Sequence, residues 1–157
     1  MRQALIAGVA ALALCSGAAS ARDIPKGGLT LQQLVTWLQD GGYKAEIQKN
    51  SKGEANIYSA AEGTGFHIYL YDCKQDVCGS IEFSVGFNTK GAFNAQQMND
   101  WNTKQRWIRA YIDDVKDPWL EYDVDLSPGG TYEILNDQFA IWRDQLKKFA
   151  DFVDQGS

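Results

Sequence analysis

His67 is the only histidine among the 157 residues, so general-base chemistry near neutral pH would have to be built around it. A nucleophilic triad would need a serine and a carboxylate beside the imidazole. The strand pairing argued below places Ser84 opposite His67, but no Gly-x-Ser-x-Gly elbow or comparable nucleophile motif occurs. A histidine on the rim of a strand accounts for the same residue. A hydrolase-type site around His67, Glu82 and Arg109 is the enzymatic alternative. One histidine cannot assemble a zinc set, and the acidic runs "DVDLSPGG" and "DDVKDP" lack the spacing of an EF-hand loop. Glu121, Asp123 and Asp125 share a strand face that would attract Ca2+ only weakly. "GTGF" has no helix behind it to cradle a phosphate. Neither a metal nor a cofactor is expected.

Sulfur chemistry depends on the compartment. The opening "MRQALIAGVAALALCSGAASA" has a basic Arg2, an apolar run from Ala4 to Leu14 and small residues before Ala21. That is the form of a secretory signal cleaved after Ala21, and its apolar run is too short to span a bilayer. Lipid attachment at Cys15 is disfavoured by Leu14, which stands where a small residue is needed. The expected location is therefore the periplasm or beyond. Cys15 leaves with the leader, and Cys73 and Cys78 remain as a pair in an oxidising compartment. Their C-x4-C spacing is not that of a thioredoxin-like redox motif, which favours a structural disulfide.

That pairing organises "FHIYLYDCKQDVCGSIEFSVGF". With Cys73 opposite Cys78 across a four-residue loop, Tyr71 faces Ser80, Tyr69 faces Glu82 and His67 faces Ser84. Phe66, Ile68 and Leu70 then share the other face with Ile81, Phe83 and Val85. Both strands sort at once into an apolar and a mixed polar face, as a half-buried antiparallel hairpin requires. The disulfide falls on the outward face. Closing so short a loop is worth roughly 2 kcal/mol on chain-entropy grounds.

The rest of the chain supplies the frame. Hydrophobic residues make up 45% and charged residues 22%, a balance that forms a packed core rather than a disordered chain. The net charge of −5 becomes −6 once Arg2 is lost with the leader, which disfavours nucleic acid and anionic membrane surfaces. No second apolar segment is long enough to span a membrane. "TLQQLVTWLQDGG" reads as a helix with Thr30 and Gln33 in capping-box spacing and Leu31, Leu34, Val35 and Leu38 on one face. "YKAEIQK", with Tyr43, Ala45 and Ile47 on one side, and "EANIYSA" read as paired strands. A helix over 95–105 follows Asn94. Strands with Ile108, Ala110 and Ile112, and with Leu120, Tyr122 and Val124, on their apolar sides come next. From Thr131 a long amphipathic helix carries Leu135, Phe139, Trp142, Leu146, Phe149 and Val153 on one stripe. The order α-β-β-β-β-α-β-β-α predicts an α+β fold, an antiparallel sheet covered by helices. One domain over 29–153 follows a lead-in at 22–28 and precedes a tail at 154–157.

"NDWNTKQRWIRAY" (99–111) is the densest polar–aromatic stretch. It splits near Arg106 into helix and strand. Counting outward from a turn centred near Lys116 puts Arg109 opposite Asp123 and Tyr111 opposite Glu121, so an ion pair of Arg109 with Glu121 or Asp123 is expected. Asn99 and Asn102 would pin the helix–strand corner through backbone hydrogen bonds. Alternatively Asn99, Trp101, Asn102, Arg106, Trp107, Arg109 and Tyr111 form a partner-binding surface, with a groove beside Trp107, Tyr111 and Tyr69.

These residues carry a resemblance. "YDC…C", Asn99-x-Trp101-Asn102 with Arg106, Arg109 and Ala110, and "LEYDVDL" with Asp123 resemble the YbjN family, also called the putative bacterial sensory transduction regulators. The resemblance covers roughly 29–153. It implies a sheet covered by helices, similar to type III secretion chaperones, which usually dimerise and bind peptide segments. On this reading the protein is an exported, non-enzymatic binding or regulatory module with a peptide or protein partner, and a homodimer through a helix or sheet edge is compatible with it. The pairing of Cys73 with Cys78 yields a direct expectation. Thiol titration of the mature chain, denatured without reductant, finds no free cysteine; two reactive thiols per chain would dismantle the hairpin register.

Overall fold

The computed structural model describes residues 22–156, so the expected signal sequence, residues 1–21, lies outside the described residues. In chain order the elements are β1 (Asp23–Ile24), β2 (Leu29–Thr30), α1 (Leu31–Asp40), β3 (Glu46–Lys49), β4 (Ala55–Ala61), β5 (Thr64–Lys74), β6 (Val77–Gly86), α2 (Ala95–Lys104), β7 (Arg109–Ile112), β8 (Pro118–Asp125), β9 (Gly130–Thr131) and α3 (Tyr132–Gly156). The main sheet is antiparallel with strand order β3-β4-β5-β6-β8-β7, and β2 adds to β6. The α+β class and the run of major elements follow the sequence pattern; β1, β2 and β9 are too short to leave a periodic signal.

Period-two residues build the sheet. The β5–β6 register pairs Cys73 with Cys78, Tyr71 with Ser80, Tyr69 with Glu82 and His67 with Ser84, as the alternation requires. The sulfurs are bonded at 2.09 Å. Lys74 also pairs with Val77, so the connection is a two-residue turn rather than four. Gln75 takes the left-handed φ of 57° that so tight a turn imposes. The disulfide is only half outward. Cys73 is exposed, whereas Cys78 is buried beneath β2, where Leu29 is its cross-strand partner. Gly28 permits that approach: at φ 108° it lies where a Cβ would collide with the Cys78 carbonyl.

The helices obey period 3.6 and cover one face. Thr30 and Gln33 close the capping box of α1, and Asn94 and Gln97 repeat it on α2. Leu34, Val35 and Leu38 of α1 are buried, joined by Trp37, whose Nε1 donates to Asn136 Oδ1 at 2.8 Å. The stripe from Leu135 to Val153 on α3 is buried throughout. Phe83 stacks on Trp142 with ring centres 5.5 Å apart, and Phe66 meets the same indole edge-on at 5.5 Å. On α2, Trp101 packs edge-on against Phe149 at 5.0 Å.

Four expectations are corrected. The strand expected over 43–49 begins only at Glu46 and lies at the sheet edge, where Ile47 is 50% exposed. The lead-in is part of the fold: Asp23 and Ile24 pair with Thr131 and Gly130, and Ile24 is buried. The tail is helical to Gly156. The β7–β8 register is shifted by two, pairing Arg109 with Glu121 and Tyr111 with Trp119. The turn centres one residue earlier than counted, since Asp113 accepts the Val115 and Asp117 amides at 3.0 and 2.9 Å.

The indole Nε1 of Trp142 is buried without a hydrogen-bond partner among the described residues, so this side chain acts there through its rings. Trp142→Ala is expected to cost about 3–5 kcal/mol. Trp142→Phe keeps part of the ring contact and removes the orphaned donor but leaves a smaller void, so it is expected to cost clearly less than Trp142→Ala. Urea unfolding midpoints check both.

Candidate functional site

With α1 and α3 on one face of the sheet and α2 docked on α3, the outward side chains of β5, β6, β8 and β7 form a second surface. It is not a flat solvated face. Glu82 is 7% exposed and Ser84 2%. A cleft of about 970 Å3 opens there, with Tyr69, Tyr71, Glu82, Ser84, Trp119 and Glu121 among its lining residues. It continues around β5 to Asn50, Glu54 and Ala55 and to the start of α1. The continuation exists because pairing between β4 and β5 ends at Ile57 and Ile68; beyond that, β5 is paired with β6 alone.

Arg109 is the charge centre of this face. Its guanidinium donates to Glu121 Oε2, Asp123 Oδ2 and Glu82 Oε2, each at 2.8 Å. Tyr71 donates to Glu82 Oε1 at 3.3 Å and Tyr111 to Glu121 Oε1 at 2.7 Å. Alternation puts Arg109, Glu121 and Glu82 on the same side of three neighbouring strands, and the length of arginine spans them. The pairing of Arg109 with Glu121 and Asp123 is present despite the shifted register. Glu82, two strands away, completes the group.

Three carboxylates around one guanidinium leave a surplus of negative charge. Burial, then Glu121 and Asp123, hold the Glu82 carboxyl above the ordinary carboxylate range; Arg109 and Tyr71 offset this only in part. As pH rises through that interval the unfolded chain releases this proton before the folded one, so the contribution of Glu82 to stability falls with pH. Burial and the carboxylates also raise the neighbouring phenols, Tyr71 to about 12 and Tyr69 and Tyr111 in the same direction.

The stretch 99–111 is divided among three places. Trp101 is buried against Phe149 and Phe152. Asn102 takes the place of a neighbouring strand at the β7 edge: its Nδ2 donates to the Ala110 carbonyl at 2.9 Å and its Oδ1 accepts the Ala110 N–H at 2.8 Å. Asn99 is exposed on α2. Arg109 and Tyr111 join the outward face, Tyr111 stacking on Trp119 at 6.4 Å. Trp107 does not join them. At φ 75° it leaves the strand alternation, stands 63% exposed under the Arg106 guanidinium, and borders a hollow against Ala140 and Ile141 of α3. The expected groove beside Trp107, Tyr111 and Tyr69 is therefore two separate surfaces.

His67 faces Ser84 across the ladder, but its Nδ1 is hydrogen-bonded to Asn56 Oδ1 at 3.0 Å, and burial lowers its pKa. The imidazole is thus oriented by an amide rather than by an acid, while Glu82 is engaged by Arg109 and Tyr71. Among the described residues no group of three His, Cys, Asp or Glu side chains is placed to hold a metal ion. Trp119 and the depth of Ser84 were not foreseen as site features. The alternation of "WLEYDVDL" could have placed Trp119 outward with Glu121, but nothing local reports how deep the face lies.

A family model, YbjN, described as "Putative bacterial sensory transduction regulator", matches residues 30–155. Among solved structures, the chain is similar to "Crystal structure of YbjN, a putative transcription regulator from E. coli", with TM-score 0.52 and 19% identity over 80% of this chain and 88% of that one. This is a likeness of fold. No curated protein matches the chain.

Two measurements check the site's physics. Asn102→Ala, which leaves the Ala110 amide and carbonyl without their partner, is expected to cost about 1–3 kcal/mol in unfolding free energy. In an ultraviolet titration, Tyr71 should ionise near 12 rather than 10. Its raised value means stability is retained below pH 10 and lost as pH climbs toward 12. Tyr71→Phe should remove that part of the alkaline loss.

Proposed function

The chain belongs to the YbjN family, and from that premise we propose that it is an exported, non-catalytic binding module that takes a peptide or protein segment on the open face of its sheet. The observation that carries this reading is the cleft itself. The helices leave one whole face of the sheet uncovered, and that face is recessed and lined with aromatic rings and carboxylates. A broad, elongated hollow with an unpaired strand alongside suits an extended chain. Export rests on the leader-like opening residues, and the disulfide between Cys73 and Cys78 is in keeping with an oxidising compartment. Among the described residues no helix is long and apolar enough to cross a membrane.

The regulatory descriptions attached to the family and to the E. coli protein fit a module that acts through partners. Direct contact with DNA is opposed by charge. The mature chain is acidic, and its recessed face carries three carboxylates around one arginine. Catalysis at His67 has little support, since Asn56 holds its Nδ1 and, among the described residues, no carboxylate is hydrogen-bonded to it.

The test uses the mature protein immobilised in periplasmic extract, with retained peptides identified by mass spectrometry, resynthesised and mapped by hydrogen exchange. Binding peptides are expected to protect β5 and β6 around Tyr69, Tyr71 and Glu82. Turnover of a generic ester, peptide or phosphate substrate that disappears in His67→Ala would overturn the proposal.

A further inference from the structure

Ser84 is the most deeply placed polar residue of the open face. As a residue it is 2% exposed and it lines the cleft, and its hydroxyl makes no side-chain hydrogen bond among the described residues. The hydroxyl is not among the fully enclosed polar atoms that lack a partner, so it keeps an opening onto the cleft. The ladder surrounds it with acceptors: Glu121 is its cross-strand partner on β8, and Glu82 lies two residues away on the same face of β6. Tyr69 and Trp119 line the same cleft.

We propose that this pit receives the primary ammonium group of a lysine side chain presented by an extended partner segment. The inference rests on the peptide-binding reading above and names the chemistry of its partner. Charge decides the sign of the ligand. Glu82, Glu121 and Asp123 share one guanidinium, leaving the group two charges negative. Glu82 accepts from Arg109 and Tyr71, and Glu121 from Arg109 and Tyr111. A carboxylate has about four acceptor sites, so both keep capacity for a further donor. Burial first, and then the charges of Glu121 and Asp123, hold the Glu82 carboxyl above its ordinary range.

Geometry selects the kind of cation. An ammonium is compact and carries three diverging donors, which suits a hydroxyl below and a carboxylate on either side. A planar guanidinium suits a row of carboxylates, and Arg109 already occupies that position. The rings of Tyr69 and Trp119 offer faces on which a cation and its methylene stem can rest. The length of the cleft selects a chain over a free amine. At about 970 Å3 it extends past Leu70 and Cys73, along the part of β5 that β4 does not pair. An extended segment can run there as an added strand while its lysine turns onto the outward face.

The experiment titrates the mature protein with an acetylated, amidated Ser/Val peptide bearing one central lysine. The same peptide with glutamine in its place, and butylamine, serve as comparisons. Binding is followed by amide NMR shifts around Ser84 and by indole fluorescence. The lysine peptide should bind at least about tenfold more tightly than the glutamine peptide, the scale of a hydrogen bond to a charged group. Ser84→Ala should weaken it severalfold without lowering the thermal midpoint, because the lost hydroxyl had no partner to strand. Glu82→Gln should weaken it by about tenfold or more. Equal binding of lysine and glutamine peptides, or undiminished binding to Ser84→Ala, would overturn the lysine site while peptide binding itself stood. Butylamine binding as tightly as the peptide, with the same shifts, would overturn a partner-borne lysine in favour of a free amine. If neither these peptides nor those recovered from periplasmic extract bind, the peptide-binding reading falls and the lysine site falls with it.

Discussion

Phe83 is held between strand and helix by four aromatic neighbours. Its ring lies on Trp142 at 5.5 Å, meets Phe139 at 5.7 Å and Phe66 at 6.1 Å, and reaches Tyr122 at 6.4 Å. Each such contact adds about 0.5–1.5 kcal/mol beyond simple burial. Together they lock β6, α3 and the two strands beside β6 into one register. A one-residue slip of β6 would turn Phe83 outward and put Glu82 or Ser84 into the rings. The tight disulfide-closed turn at the end of the same hairpin opposes that slip from the other side.

The polar face is set by the same constraint. Once Phe83 is inward, Glu82 and Ser84 must be outward on a strand with neighbours on both sides, so they cannot reach bulk water as an edge strand's side chains can. A carboxylate in that position needs a cation. Arg109 supplies it from two strands away, and in doing so ties the β7–β8 hairpin to the sheet centre. The compensation is incomplete, since one guanidinium serves three acids, and the residual charge gives the open face its chemical character.

The dense stretch at 99–111 resolves into structure more than surface. Asn102 satisfies both backbone groups of Ala110 and so covers the β7 edge, which would otherwise present an unpaired donor and acceptor. Trp101 anchors α2 on α3. Only Arg109 and Tyr111 join the outward face, where they bond Glu82 and Glu121 of the cleft wall, and Trp107 stands apart on the helical side because its left-handed backbone breaks the alternation.

Periodicity alone determined much of this protein. Two-residue and 3.6-residue repeats located the three helices and the main strands. A pair of cysteines five apart specified the β5–β6 register down to His67 opposite Ser84. Such features are local: each depends on side chains within a few positions of one another. What only the tertiary structure decided were distances between segments that share no local signal. The β7–β8 register depended on side-chain hydrogen bonds of Asp113 within its turn. Glu82 became the third partner of Arg109 only because β6 and β7 lie on either side of β8. The depth of Ser84 arose because it lies on central β6 between His67 of β5 and Glu121 of β8, and Trp107 was separated from Tyr111 by one backbone angle. Alternation says which way a side chain points, whereas what it meets there depends on strands brought from elsewhere in the chain.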